Sequence, residues 1–302
     1  MEQFEVFDDE FQRILGSNPE LIQRAGGLAF AEGVCWVPRL NKVIASDIPN
    51  NRIVSWGKSE GFGIYREPSE CSNGNTVDRE GRIISCLTRG RAVVREELDG
   101  TMTTIANSFK GGKLTSPNDV SVKSDGSIWF TDPDYGFLHL ELGHGEKPEQ
   151  DRNRVFRVDG DTLDISMVSE DFDKPNGITF SPDESVLYIG DTGRTHGDFR
   201  PHNLMAFDVA GDKLANPRLF ADVEPHVPDG FRADVNGNIW VAAGDGVQVF
   251  NPAGNLLGKI HTPEISANLS FGMPDGQTLF IGATSSIWSI ELNIAGATRP
   301  IN

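Results

Sequence analysis

An all-β, six-bladed propeller is predicted by three features of this 302-residue chain. A polar position recurs six times ahead of an aromatic or β-branched stretch: Glu32-Gly33-Val34, Asn73-Gly74-Asn75, Asn118-Asp119-Val120, Asn176-Gly177-Ile178, Asp229-Gly230-Phe231 and Asn268-Leu269-Ser270. Those positions are 41, 45, 58, 53 and 39 residues apart, the length of one four-stranded blade. Similar turns then follow, among them Asp125-Gly126-Ser127-Ile128-Trp129, Asn236-Gly237-Asn238-Ile239-Trp240 and Asp275-Gly276-Gln277-Thr278-Leu279. Asp-Gly and Asn-Gly steps supply the positive backbone angles that short hairpins need. Glycine and proline are dispersed, with no Pro- or Ser-rich linker, so residues 1–302 read as a single domain.

The elements follow in order. Residues 9–16 read as a short helix capped by Asp9 and ended by Gly16. Blade three shows strands at 119–123, 128–131 and 154–158, and blade five at 231–234, 239–242, 247–250 and 256–260. The last repeat runs out of chain after 286–292, so blade six lacks an outer strand. Residues 21–24 are expected to supply it, closing the ring with an N-terminal strand and leaving no unpaired edge there. Two stretches, 136–153 and 193–203, exceed the repeat and are candidate walls of a site.

A formal net charge of −17 argues against nucleic acid as a partner, because it repels a phosphate backbone. Residues 1–20 carry no apolar core of a signal peptide, and no apolar run is long enough for a membrane span. Cys35, Cys71 and Cys86 form an odd set without pairing motifs, which suits reduced thiols and a cytoplasmic location.

Equivalent positions of successive blades converge on the propeller axis, so the six polar residues form one ring of oxygens. Two are carboxylates, Glu32 and Asp229; four are carboxamides, Asn73, Asn118, Asn176 and Asn268. Such a set suits a hard divalent cation such as Ca²⁺, Mg²⁺ or Mn²⁺. Two buried carboxylates without a cation would carry a large desolvation and repulsion cost. A single Asn-Gly step is ordinarily a turn; six in phase establish equivalence between blades.

Six motifs together resemble the SMP-30/gluconolactonase family of six-bladed propellers over residues 28–290. They are Glu32-Gly33-Val34-Cys35-Trp36, Ser72-Asn73-Gly74-Asn75-Thr76, Ser116-Pro117-Asn118-Asp119, Thr131-Asp132-Pro133-Asp134-Tyr135-Gly136, Lys174-Pro175-Asn176-Gly177 and Pro228-Asp229-Gly230. The resemblance implies one divalent metal ion, Ca²⁺ first with Mg²⁺, Mn²⁺ or Zn²⁺ as alternatives, held by Glu32, Asn118, Asn176 and Asp229. It also implies a catalytic Asp229, substrate contact by Asn73, and Asn75, Asp119 and Arg91 as pocket wall. Asp191-Thr192-Gly193 followed by His196 and His202 resembles the bacterial gluconolactonase branch. The chain departs from the family at Val34, where Pro is usual, and at Leu87-Thr88-Arg89-Gly90-Arg91, where many members carry Glu-His.

The expected activity is metal-dependent opening of a sugar lactone, a small-molecule substrate. The metal would polarise the carbonyl or acidify a water, with Asp229 accepting a proton or attacking directly. Other readings are an esterase or phosphotriesterase on another substrate, and a metal-binding propeller without turnover. No Gly-x-Ser-x-Gly elbow is present. His196 and His202 are candidates for the mouth of the site, and Phe231, beside Asp229, for the pocket. Trp36, Trp129, Trp240 and Trp288 read as packing between blades, and His226 as a loop residue.

Overall fold

The computed structural model describes residues 3–297 apart from 140, 142 and 144–146; His144 therefore lies outside the described residues. Among the described residues six antiparallel sheets of four or five strands follow one another, with a small two-stranded sheet, Ser108–Phe109 and Gly112–Lys113, between the second and third. Their innermost strands are Ala31–Val37, Ser72–Val77, Val120–Val122, Pro175–Phe180, Phe231–Ala233 and Ser266–Gly272. These strands touch in cyclic order, the sixth against the first, so the sheets form a closed six-bladed propeller.

The local chemistry of each hairpin is the same. At the turns an Asp or Asn side chain accepts the N–H two residues on: Asp125 from Ser127 at 3.0 Å, Asp234 from Asn236 at 2.9 Å, Asp275 from Gln277 at 3.0 Å. This is the Asx-turn geometry that makes Asp and Asn favoured ahead of Gly. The following strand carries the large apolar residue into the space between blades. Trp129 meets Phe180 edge-on, Trp240 meets Phe271 edge-on, and Trp36 stacks on Phe280 with ring centroids 5.8 Å apart. Each pair joins adjacent blades, the packing role expected of these tryptophans. The indole N–H groups of Trp129 and Trp240 are satisfied by Ser127 and Asp234, each at 2.9 Å.

The strands of blades three and five fall where the sequence places them, within one or two residues, and 154–158 matches at both ends. The outer strand of blade six is Ile22–Gly26, antiparallel to Ser286–Glu291 with Gly26 opposite Ser286. Two N-terminal features depart from expectation. The helix Asp9–Leu15 is capped by Asp8, not Asp9: the Asp8 carboxylate accepts the Glu10 N–H at 2.8 Å, and Asp9 is already helical. Phe4–Val6 adds a fifth strand to the edge of blade five, beside Leu256–His261. Three residues carry too little periodicity to announce a strand. The helix then buries Phe11, Ile14 and Leu15 against blades five and six, with Phe11 packed near Trp240. No helix among the described residues is long and apolar enough to cross a membrane.

Candidate active site

The six repeated polar residues lie at the start of the innermost strands or two residues before it, at one end of the propeller. Neighbouring blades approach so closely here that the position after the polar residue is glycine in four of them. A Cβ on Gly33 would lie 1.8 Å from the Asn73 carbonyl oxygen, and one on Gly177 would lie 2.2 Å from that of Asp229. Hydrogen bonds continue round the ring. Gly74 N–H donates to the Asn118 carbonyl and Gly230 N–H to the Ala267 carbonyl, both at 2.7 Å. Ser46 Oγ donates to the Asn73 carbonyl and Thr131 Oγ1 to the Asn176 carbonyl, again at 2.7 Å. Asn268 Nδ2 donates to Glu32 Oε2 at 3.0 Å, joining blade six to blade one.

The Glu32 and Asp229 carboxyls are close neighbours in the ring, and Glu32 and Asn176 both bear on the proton affinity of Asp229. Glu32 Oε2 also accepts its neighbour's Gly33 N–H at 2.8 Å, which leaves Oε1 for the axis. Burial, then the nearby Asp229 and Asp119 charges, hold the Glu32 carboxyl well above the usual carboxylate range. Burial and the Asp119 charge raise Asp229 likewise. The Asn73 Oδ1 oxygen is buried without a hydrogen-bond partner. Two adjacent acids that resist ionisation and the carboxamides of Asn118 and Asn176 form a donor set that fits a hard divalent cation, beside an Asn73 oxygen that no protein donor satisfies. Among the described residues no three His, Cys, Asp or Glu side chains form a metal cluster, so a cation on the axis would draw on the asparagines.

The other anticipated residues separate into two groups. His196 lies on the loop after blade four's second strand: its ring is 5.7 Å from those of Tyr135 and His139, and Nδ1 pairs with Thr195 Oγ1 at 2.8 Å. Asp119 is buried below the ring, where it pairs with Arg232 at 3.3 Å. Asn75 borders a cavity on the axis below the ring, and Phe231 is packed away from it. Asn75 is fully buried, and its Nδ2 donates to the Gly33 carbonyl at 2.9 Å and to Ser46 Oγ at 2.8 Å, bracing blade two against blade one. Phe231 is fully buried, with its ring over Gly177 and Gly190. Arg91 is buried as well; it donates to the Leu114 carbonyl at 2.7 Å and pairs with Glu149 at 3.2 Å. His202 pairs with the Val223 carbonyl at 3.2 Å, which ties its loop to the edge of blade four. His226 is an exposed loop residue, as expected, with a left-handed backbone. Cys35, Cys71 and Cys86 are free and buried.

Residues 30–285 match the model of the SMP-30/gluconolactonase/LRE-like region. The chain belongs to this family. Among its relatives, a gluconolactonase of Zymomonas mobilis is 28% identical, with 96% of this chain and 86% of that protein covered. A pentonolactonase of Haloferax volcanii is 26% identical over 83% of this chain and 80% of its own length. Among solved structures, a gluconolactonase of Xanthomonas campestris superposes with a TM-score of 0.90 at 31% identity, covering 96% of this chain and 95% of that one.

Within this SMP-30/gluconolactonase-family propeller, the structure joins further residues that spacing did not single out. Tyr135 Oη pairs with Thr192 Oγ1 at 2.6 Å and Thr195 Oγ1 at 3.2 Å, tying the loop after blade three's second strand to that of blade four. Burial raises the Tyr135 phenol to about 12, and the Asp229 and Asp191 charges act in the same direction. Lys174, which pairs with Asp134 at 2.7 Å, acts on His196. Burial first, then the Lys174 and His139 charges, push the His196 imidazole down from its ordinary value. Tyr135 and Thr192 stand inside motifs already singled out, in Asp-Pro-Asp-Tyr-Gly and Asp-Thr-Gly, but no repeat spacing marks their side chains.

Proposed function

We propose that this protein is a lactonase that opens a sugar lactone, working in the cytoplasm as one domain of residues 1–302. The observation that carries the reading is the closeness of the Glu32 and Asp229 carboxyls, from blades one and five, inside a ring of carboxamides. The lactonase names of relatives matching over most of the chain support the substrate class. Glu32, Asn118, Asn176 and Asp229 would hold a divalent cation, Ca²⁺ first, which when bound supplies Lewis-acid polarisation of a carbonyl and a more acidic water.

Asp229 is the proton acceptor. Burial and the Asp119 charge raise its proton affinity, which a dication beside it would offset, so Asp229 serves as base toward a water that the cation would make more acidic. Glu32 is held by Gly33 N–H and Asn268 Nδ2, so it orients rather than moves. Asn73 faces the site with an oxygen no protein donor satisfies and is placed to accept from a substrate hydroxyl. Tyr135, Thr192 and His196 form the wall over the mouth, and a neutral His196 can either donate to or accept from a sugar hydroxyl.

The test is proton release from D-glucono-1,5-lactone above its spontaneous rate, in wild type and in Asp229→Asn. Acceleration by wild type that the variant loses, with its fold intact, supports the reading. Equal rates in both would end it. Acceleration of a phosphotriester but of no lactone would move the same site to the other hydrolase class.

A further inference from the structure

Three residues beyond each member of the oxygen ring stands a second layer, one residue per blade: Cys35, Thr76, Ser121, Thr179, Arg232 and Phe271. All six line a cavity of about 150 Å³ on the axis, at the opposite end of the innermost strands from the ring. Three strand residues span about 10 Å, so the two layers are distinct sites on one axis.

Their chemistry is opposite. The ring presents carboxylate and carboxamide oxygens. The second layer presents three hydroxyls and a guanidinium, and no acid. Its thiol adds no negative charge, because burial raises Cys35 to about 12. Arg232 reaches across the axis from blade five to Asp119 of blade three. Its Nη1 donates to Asp119 Oδ2 at 3.3 Å and to the Phe231 carbonyl at 2.8 Å. Its Nη2 is buried with no hydrogen-bond partner, and the side chain is 15% exposed where it lines the cavity. A guanidinium holds five N–H donors in a planar fork, so it can serve a second carboxylate while it keeps the first.

We propose that this cavity is a second ligand site, which takes a small hydroxy-carboxylate. The carboxylate would face the Arg232 guanidinium, and the hydroxyls of Thr76, Ser121 and Thr179 would meet the hydroxyls of the ligand. Bare oxyanions of the same charge would satisfy the guanidinium but not the hydroxyl layer. The site stands apart from the lactonase reading, since it shares no residue with the ring.

The test is titration calorimetry with D-glycerate, acetate and inorganic phosphate at fixed ionic strength, on wild type, Arg232→Gln, Thr179→Val and Asp229→Asn. Glycerate should bind wild type saturably and more tightly than acetate or phosphate. Arg232→Gln should weaken it about tenfold or more, as loss of a charge-assisted contact does. Thr179→Val, which keeps shape and the Arg232–Asp119 pair, should weaken it about threefold or more. Asp229→Asn should leave it unchanged. Absence of saturable glycerate binding to wild type overturns the proposal, as does glycerate binding no tighter than phosphate. So does loss of binding in Asp229→Asn, which would place the ligand in the upper ring. Should Arg232→Gln fail to fold, Thr179→Val decides alone: wild-type affinity there contradicts the assignment.

Discussion

Asp229→Asn keeps volume and removes the base, so turnover should fall by about 100-fold or more while the circular dichroism spectrum is unchanged. A variant that retains wild-type kcat would remove Asp229 from the chemistry. Asn73→Ala takes away an oxygen that substrate would engage, so KM should rise more than kcat falls in steady-state assays. At this scale the ring was legible in the sequence, because one residue per blade in phase survives translation into any propeller. The roles of its neighbours were not. Asn75 and Phe231 each sit two residues after a ring member, yet both are fully buried, Asn75 beside a bulge in its strand pair. Tyr135 and Thr192 meet outside the strands, where no period exists to read.

Blade contacts set the tolerance of individual elements. Gly177→Ala would drive a methyl into the Asp229 carbonyl, which is backbone, and into the fully buried Phe231 ring. The variant should lose about 1–3 kcal/mol of stability in denaturant unfolding, with lowered activity, since the clash moves Asp229 itself. Unaltered stability would mean that blades four and five are less tightly apposed than described. The N-terminal helix is the second case. Phe11 is fully buried beside Trp240 and over Gly258, so Phe11→Ala should cost about 3–5 kcal/mol. Asp-Gly turns and alternating strands made most blades readable. The strand Phe4–Val6 was not, because only the exposed edge of blade five, assembled from residues about 250 positions away, gives those three residues a partner.

Across the whole molecule, the buried acids couple stability to pH and to cations. Glu32 and Asp229 hold their protons more tightly in the folded protein than in the unfolded chain. Unfolding therefore releases protons from about pH 4 upward, and this pair lowers the stability of the metal-free protein as pH rises toward neutrality. A bound dication offsets that loss, so the rise in Tm on adding Ca²⁺ should be larger at pH 8 than at pH 5. Equal shifts at both would show that the cation binds away from the pair. The measurement that tests the central claim most directly is titration of metal-stripped protein with Ca²⁺, Mg²⁺, Mn²⁺ and Zn²⁺, reading bound metal and gluconolactone hydrolysis on the same samples. The account predicts that hydrolysis rises in proportion to one equivalent of bound cation and that Glu32→Gln loses both together. Full turnover by protein shown to be free of metal would contradict it.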